Sequence, residues 1–437
     1  MVSVVGRFRP WVWTGVAFVL AAALGCGNTY RPIVTSIPPV QPAPQPEKEA
    51  VVISCGTDQA NTAATSIYQA CNSPSSVGLG SIVDFSGDSL MVRVNLGNGP
   101  RWVALNGPGT DAYTANADGT INEFSINTLT ETNQIQTSTL LPNALPNTLL
   151  SETGGFLYVT EPGRNSIAVM SGFPAAVRLE IPVTATPVNL VGNYQTQRIY
   201  AISQGPNATQ QSCTSAAGNG SITAIEMATN TISAVIPAGV CPVYGVMSED
   251  NRRTFILNKN SGTVTVIDSQ QNQLDRTITL PAGPNGLTPQ PVWADIYTVG
   301  SILAVASAQS DTLTLINVSL DSFGNDSPGF GQILATVPVG ANPTSVAVLQ
   351  DGTRAYVANH DDGTVSSVSL TSNTVLATIP VAGHPISIAA TTGTPTGKVY
   401  VASPDSNILT IIRTDEDTIS NSLVLTGSGI QVRVTAP

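Results

Sequence analysis

Apolar and polar residues alternate with a period of two in many short runs along this chain. Residues 355–370 read AYVANHDDGTVSSVSL, in which two such runs flank a polar turn that contains Asp-Gly. Alternation over four to eight residues predicts a half-buried β-strand, and Asp-Gly between two strands predicts a β-hairpin. The pattern therefore predicts antiparallel β-structure made of short strands joined by tight turns.

A unit of four such strands recurs along the chain. Its first strand begins at a proline, which suits that position because the missing N–H breaks no ladder hydrogen bond. The prolines stand 41 to 55 residues apart, at Pro100, Pro146, Pro187, Pro242, Pro291, Pro343 and Pro385. A period of about 47 residues with four strands in each period is typical of a β-propeller. A string of β-sandwiches would show no such repeat.

The two ends of the chain each carry part of one further unit. Residues 51–54, 81–87 and 89–97 have the pattern of second, third and fourth strands, and residues 429–436 have the pattern of a first strand. One blade made from both ends would close the ring and remove its exposed sheet edges. We therefore predict an all-β fold, a single β-propeller of eight four-stranded blades over residues 51–437. The alternative is a ring of seven blades with these terminal strands outside it.

The amino-acid sequence of the repeat also points to a particular kind of propeller. Residues 356–385 begin with YVAN and continue, three residues later, as GTVSSVSLTSNTVLATIPVAGHP. This resembles the YVTN-repeat (YncE-like) propeller family of bacterial and archaeal extracytoplasmic proteins. The resemblance covers most of residues 80–437 and is strongest over 341–389. It implies a propeller but no reaction, and it implies seven blades more often than the eight counted here.

Residues 1–25 have the pattern of a secretory signal. Arg7 and Arg9 precede the apolar run WVWTGVAFVLAAALG, which ends just before Cys26. A charged start, a short apolar run and small residues before a cleavage site are typical of such signals. The run is also shorter than the roughly 20 residues that a membrane-spanning helix needs. We therefore predict a signal peptide over 1–25 and export of the mature chain.

The cleavage site resembles a bacterial lipobox. Residues 23–26 read ALGC, and in that family of signals the cysteine is lipidated and becomes the new N-terminus; Ala23 stands where leucine is usual. Gly27 follows the cysteine, which by resemblance to other lipoproteins favours the outer membrane. The proline-rich segment within 26–50 predicts an extended tether. We therefore predict a cell-envelope lipoprotein anchored through Cys26, with its periplasmic or surface side left open. The alternative is an ordinary signal peptide with an incidental cysteine.

The remaining cysteines fall into two local pairs. Cys55 and Cys71 lie in the predicted loop between the second and third strands of the composite blade. Cys213 lies in another loop of this kind, and Cys241 lies in the following loop between blades. Both kinds of loop belong to one face of a propeller. In an exported protein this arrangement indicates two disulfides, Cys55–Cys71 and Cys213–Cys241; the alternative is buried free thiols.

Charge and motif content argue against several classes of function. The formal net charge is −11 and no run of Lys or Arg occurs, which disfavours nucleic acid and anionic membrane surfaces because both require dense positive charge. The chain contains no Cys-x-x-Cys-His, Gly-x-Ser-x-Gly, P-loop or His-Glu-x-x-His motif. We therefore expect no cofactor, no metal and no catalytic residue. His360 and His384 are predicted on the cysteine-bearing face, where neither has an evident catalytic partner.

One set of positions suggests a ligand site, namely the second residue after each strand-one proline. These positions are predicted to lie near the mouth of the central channel. They carry Trp102 and Trp293, the two tryptophans beyond the signal peptide, and also Asn189, Tyr244 and Gln431. Aromatic and amide side chains in a concave mouth suit a sugar, a peptide or another small molecule. The alternative is that the tryptophans fill the wedges between blades.

These features favour a monomeric, non-enzymatic binding or scaffold module tethered to the cell envelope. Its partner is expected to be a protein, peptide or glycan at the channel mouth, with the membrane contacted through the lipid only. The alternative is a hydrolase similar to lactonase-like propellers, with His384 as the only credible base. A quinoprotein-type propeller fits less well, because its tryptophan-docking repeats and a haem motif are missing. The fold alone does not choose between these functions.

Overall fold

A computed structural model gives the architecture of the chain within the unit Pro46–Pro437. The described residues are 49–435, apart from 57–58, 72, 127–134, 153–154, 173–174, 193–196, 210–212, 215, 217, 300 and 392–396. The predicted signal peptide, Cys26 and nearly all of the predicted tether lie outside them. Within the described residues, no helix is long and apolar enough to cross a bilayer.

The described chain contains 32 strands and one short helix, α1, at Ile67–Ala70. The first half comprises β1 (Glu49–Cys55), β2 (Gly78–Asp84), β3 (Ser89–Leu96), β4 (Pro100–Leu105), β5 (Asp111–Asn116), β6 (Thr120–Ser125), β7 (Gln136–Thr139), β8 (Leu149–Glu152), β9 (Phe156–Glu161), β10 (Ser166–Ser171), β11 (Ala176–Pro182), β12 (Pro187–Val191), β13 (Arg198–Ser203), β14 (Asn219–Glu226), β15 (Thr231–Val240) and β16 (Pro242–Met247). The second half comprises β17 (Arg253–Asn258), β18 (Thr263–Asp268), β19 (Gln273–Thr279), β20 (Pro291–Tyr297), β21 (Ile302–Ser307), β22 (Thr312–Asn317), β23 (Ile333–Pro338), β24 (Pro343–Val348), β25 (Arg354–Asn359), β26 (Thr364–Ser369), β27 (Thr374–Pro380), β28 (Ser387–Ala390), β29 (Lys398–Ala402), β30 (Ile408–Arg413), β31 (Thr418–Val424) and β32 (Ser428–Val434).

The strands form eight antiparallel four-stranded sheets, which are the blades of a closed propeller. Blades 2 to 8 each use four consecutive strands, from β4–β7 to β28–β31. Blade 1 has the order β3-β2-β1-β32, with Ala50 paired to Val434 and Cys55 paired to Ser428. The inner strands β4, β8, β12, β16, β20, β24, β28 and β32 contact one another in sequence, and β32 contacts β4. The predicted count of eight and the predicted closure by both ends of the chain are therefore confirmed.

The burial of each strand follows its place in the blade. Second strands such as β17 and β25 are buried almost throughout, because neighbouring blades cover both of their faces. Outer strands such as β27 are exposed along most of their length, with Ile379 turned into the core. This layering explains why second strands read as continuous apolar runs whereas outer strands mix apolar and polar residues.

The tyrosine of the YVAN-type repeat links successive blades. The hydroxyl groups of Tyr158, Tyr200 and Tyr356 each donate a hydrogen bond to a residue in the next blade, at 2.6–2.8 Å. The acceptors occupy the turn between the third and fourth strands, each with a positive φ of 54–55°, and are Asn230, Asn272 and Asp417. Asparagine and aspartate tolerate this left-handed conformation better than most residues. The repeat therefore supplies an anchor between blades as well as a strand.

The two disulfides join the residues that the sequence pairs. Cys55 bonds to Cys71 and Cys213 bonds to Cys241, with Cα–Cα distances of 6.0 and 5.7 Å. All four lie in or beside loops that join second to third strands or one blade to the next. We call the side of the ring that carries these loops the disulfide face. Helix α1 lies within the loop closed by Cys55–Cys71, so this disulfide holds a segment that the repeat does not specify.

Candidate ligand site in the central channel

The inner strands direct three of the predicted site residues toward one another in the channel. The ring centroids of Trp102 and Trp293 are 6.4 Å apart, and Tyr244 stacks on Trp293 at 4.1 Å. The indoles meet across the channel, although only 5% of Trp102 and 9% of Trp293 is exposed. Their low exposure arises from contacts within the channel as well as from packing against the blades.

A residue that the sequence analysis did not select covers this cluster. Tyr68, on helix α1, lies parallel to Trp102 with the ring centroids 6.0 Å apart. Its hydroxyl oxygen accepts a hydrogen bond from Asn189 Nδ2 at 3.0 Å. Burial raises the pKa of the Tyr68 hydroxyl well above its usual value, against the smaller opposite effect of this hydrogen bond. We call Tyr68, Trp102, Tyr244 and Trp293 the aromatic layer.

Gln431 has a structural contact instead of an open position in the channel. Its Oε1 accepts a hydrogen bond from the backbone N–H of Val103 in blade 2 at 2.7 Å. Ser387, at the same position of blade 8, likewise accepts from the N–H of Val432 at 3.1 Å. At these two positions the side chain therefore joins one inner strand to the next by a hydrogen bond. Ligand binding by any residue at this position remains a prediction.

Two cavities lie on either side of the aromatic layer. The upper cavity, about 130 Å³, opens beside helix α1 on the disulfide face and is bordered by Lys259 and Trp293. The lower cavity, about 190 Å³, lies where the inner strands end, toward the opposite face. It is bordered by Tyr244, Trp293, Asp295 and Arg433 and by apolar residues of β24 and β28. Trp293 borders both cavities and thus forms part of the partition between them.

Arg433 is the cation of the lower cavity. Its guanidinium carbon lies 5.0 Å from the ring centroid of Trp102 and 5.7 Å from that of Trp293. Both distances fall within the range of cation–π attraction, which partly replaces the lost hydration of the charge. Burial raises the pKa of the Tyr244 hydroxyl, and the nearby Arg433 charge opposes that rise. The aromatic layer thus positions a positive charge at the centre of an otherwise acidic protein.

Asp295 is the anion of the same cavity. Its Oδ1 accepts from the N–H of Ile296 at 2.9 Å, and its Oδ2 accepts from the N–H of Val348 at 2.8 Å. Burial raises the pKa of Asp295 to about 6, and the two backbone hydrogen bonds and Arg433 oppose that rise. The carboxyl group is therefore held in a fixed orientation and is largely ionised at neutral pH.

The histidines lie together on the disulfide face, as their loops predict. The ring centroids of His360 and His384 are 5.3 Å apart. His360 Nδ1 is 2.6 Å from Asp361 Oδ1, and His384 Nδ1 is 2.6 Å from Asp405 Oδ2. Each ring therefore has a carboxylate partner that the sequence analysis did not identify. In the part of the chain that the structure describes, no group of three or more His, Cys, Asp or Glu side chains is arranged to hold a metal ion.

A larger depression of about 470 Å³ lies outside the channel, beside blades 5 and 6. It is bordered by two arginines, of which Arg253 is paired with Asp326 at 2.8 Å and Arg252 lies 3.9 Å from Asp250. Both charges already have a carboxylate partner within the chain. The channel differs because Arg433 and Asp295 form no ion pair with any other described residue, and we therefore regard the channel as the candidate site.

Comparisons with known proteins establish the fold. No protein-family model matches the chain, and no curated protein matches it. Among solved structures, apo AztD from Citrobacter koseri is similar, with a TM-score of 0.58, 10% identity and coverage of 88% of this chain and 97% of that chain. Saccharomyces cerevisiae Sqt1 has a TM-score of 0.59, 12% identity and coverage of 75% and 85%. The dihydro-heme d1 dehydrogenase NirN in complex with DHE has a TM-score of 0.61, 11% identity and coverage of 89% and 75%. These neighbours are β-propellers, and at such identities the likeness shows that this chain is a β-propeller and leaves its function open.

Proposed function

We propose that this chain is an exported, lipid-anchored propeller of the YVTN-repeat kind that binds a small polar molecule in its central channel without transforming it. The observation that carries the proposal is the lower cavity, where Arg433 stacks on two indoles and has no ion pair among the described residues. A cation placed in this way has lost hydration, and an anionic group of a ligand would restore its partners.

The geometry favours the end of the channel away from the disulfide face. The sequence analysis expected a ligand at the mouth lined by Trp102, Asn189 and Tyr244. Tyr68 already stacks on Trp102 there and already accepts from Asn189. A ligand in the lower cavity would contact Tyr244 and Trp293 from their other side, without displacing the helix that the Cys55–Cys71 disulfide holds.

Intrinsic fluorescence provides the test. Once the signal peptide is removed, Trp102 and Trp293 are the remaining tryptophans; Trp293 borders the proposed site, and Trp102 lies against Arg433, which borders it. The full mature chain, purified in detergent, would be screened with a library of sugars, amino acids, organic acids and short peptides. We expect a saturable change in emission with a matching rise in melting temperature. An absence of any saturable ligand across the library would overturn the proposal.

The anchor is tested separately. Cys26 would carry the lipid, and the disulfides support an exported location because they persist in oxidising compartments. We expect a fatty-acid probe to label the wild-type chain and to leave Cys26→Ser unlabelled, with that variant released from the membrane fraction. Cys213→Ser keeps Cys26 and serves as the control for loss of an unrelated cysteine. Wild-type protein that the probe does not label would contradict the lipoprotein assignment.

Hydrolysis is a second candidate, favoured by one observation. About half of the His384 side chain is exposed, and a carboxylate lies 2.6 Å from its Nδ1. A carboxylate at Nδ1 orients the ring and leaves Nε2 to act as a base. A panel of lactones and esters would be assayed by acid release, with His384→Ala expected to abolish any turnover and the buried His360→Ala variant as comparison. Turnover that survives His384→Ala would contradict this candidate.

A further inference from the structure

The lower cavity holds two opposite charges that do not neutralise each other directly. Arg433 and Asp295 both border it, yet no nitrogen–oxygen pair between them lies within 4.0 Å. Contact between them would have explained the pair as an ordinary internal ion pair, as it does for Arg253 and Asp326. The inner strands instead hold the two groups apart, at β32 and β20, which belong to blades 1 and 6.

Both groups retain unused hydrogen-bonding capacity. A guanidinium has five N–H donors in a planar fork, and among the described residues the Arg433 side chain donates no hydrogen bond. Each oxygen of the Asp295 carboxylate accepts one backbone N–H, at 2.9 and 2.8 Å, and has a second lone pair available. The aromatic rings hold the Arg433 side chain in place, and the backbone hydrogen bonds hold Asp295. Binding a ligand would therefore cost little conformational entropy in these two side chains.

The size and walls of the cavity limit what fits between these charges. Its volume of about 190 Å³ is several times the roughly 30 Å³ that one water molecule occupies in the liquid. Such a space suits a molecule the size of a free amino acid and excludes a glycan chain or a folded peptide. Val346, Ala347, Ile388 and Ala389 border the cavity beside the charges and are themselves almost fully buried, so they form a fixed wall that leaves room for only a short side chain.

We propose that the lower cavity binds a zwitterionic α-amino acid with a small side chain, its carboxylate on the Arg433 guanidinium and its ammonium group on the Asp295 carboxylate. A planar guanidinium matches a carboxylate through two parallel hydrogen bonds. This inference rests on the proposed function, because it names the class of ligand for the same channel.

Matched ligands separate the two charges. Isothermal titration of the mature chain in detergent would use L-valine, N-acetyl-L-valine and L-valinamide, and the corresponding three derivatives of L-alanine. The acetyl compounds lack the ammonium charge and the amides lack the carboxylate. We expect the free amino acids to bind at least about tenfold more tightly than either derivative, since each derivative loses a charge-assisted hydrogen bond.

Variants of the two side chains give the second arm of the experiment. Asp295→Asn should weaken binding of the free amino acid about tenfold and leave binding of the acetyl compound unchanged or improved. Arg433→Lys keeps the charge and removes the fork, and it should weaken both. Asp415→Asn, in the turn after β30, where Asp415 pairs with Arg413 outside the channel, changes the net charge by the same amount as Asp295→Asn and should have no effect. Melting curves confirm that each variant is folded.

The outcomes distinguish this inference from the proposed function. Acetyl compounds that bind as tightly as the free amino acids would show an anion site and overturn the zwitterion assignment. Tight binding of the amino acids that neither Asp295→Asn nor Arg433→Lys weakens would also overturn it. A library in which sugars or organic acids bind and amino acids do not would contradict this inference and leave the proposed function intact. A library without any ligand would contradict both.

Discussion

The two ends of the central channel satisfy their side chains in different ways. At the disulfide face, Tyr68 from the chain itself stacks on Trp102 and accepts a hydrogen bond from Asn189. At the other end, Arg433 and Asp295 border one cavity without contacting each other. At the first end, the aromatic ring and the amide thus have partners within the chain. At the second end, two charged groups remain available to bind a ligand.

The difference shows which features of a channel indicate a ligand. Stacking aromatic rings and amides suit a ligand, but a tyrosine of the same chain can provide the same contacts. Two separated charges are harder to satisfy internally, because a partly buried charge without a partner costs free energy. The unpaired charges, more than the tryptophans, therefore mark the end at which we expect binding.

The largest effect should come from deleting β32, the inner strand of blade 1, which carries both Gln431 and Arg433. Deleting residues 428–437 removes β32 and leaves the inner edge of β1 unpaired. Ile430 and Val432, which are fully or almost fully buried, would no longer cover the core. Burying each such side chain contributes roughly 1.5–3 kcal/mol, so the loss approaches the whole stability of a domain, about 5–15 kcal/mol.

Circular dichroism and thermal unfolding of the deletion variant check this expectation. The variant should show no cooperative transition or a strongly lowered one. Arg433→Gln keeps the strand and removes its charge, so it provides the control for loss of the arginine alone. A deletion variant that melts like the intact chain would contradict closure of the ring by β32.

The second prediction separates the two disulfides. On the chain-entropy model, loops of 16 and 28 residues contribute about 3 kcal/mol each, so Cys55→Ser/Cys71→Ser and Cys213→Ser/Cys241→Ser should lower stability similarly. Only the first pair releases the segment that carries Tyr68. We expect that variant alone to change tryptophan emission while its affinity for ligands of the lower cavity stays the same. Equal emission changes in both variants would contradict a specific role for the first disulfide.

The sequence predicted the blades of the propeller better than it predicted the side-chain contacts in the central channel. Eight blades, the composite blade and both disulfides follow from repeats and spacing, because a repeated pattern reports repeated contacts. Tyr68 lies in a non-repeated loop, and its partner Asn189 is 121 residues away, so neither periodicity nor local spacing indicates the contact. Asp295 and Arg433 interrupt small and apolar positions in the pattern, but their separation in the cavity depends on side-chain packing.

A third prediction concerns Tyr68 itself. Tyr68→Phe keeps the ring on Trp102 and removes the oxygen that accepts from Asn189, which should cost about 1 kcal/mol. Tyr68→Ala also removes the stacking and should cost more, because it leaves a space above the indole. Chemical denaturation measures both. Equal stability of the two variants would show that the ring contributes nothing to the upper end of the channel.

The last prediction is a dependence on pH. Burial raises the pKa of Asp295 from 3.8 to about 6, so the folded chain binds this proton more tightly than the unfolded chain does. The resulting stability is present below about pH 4 and is lost as the pH rises to about 6. Asp295→Asn does not titrate, so its melting temperature relative to wild type should rise between pH 4 and 6 and then stay level. A difference that is constant across this range would contradict the expectation.

The composite blade also determines the order in which the protein can be completed. Blades 2 to 8 form from consecutive strands. Blade 1, in contrast, requires β1 to pair with β32, with Ala50 opposite Val434. A chain that emerges N-terminus first therefore holds β1 to β3 without their inner partner until β32 has been synthesised. Long-range pairing of this kind is slow, because its loop-closure entropy is lost before the contact forms. We expect closure of blade 1 to be the last folding step, and the open edge of β1 to be where incomplete chains associate.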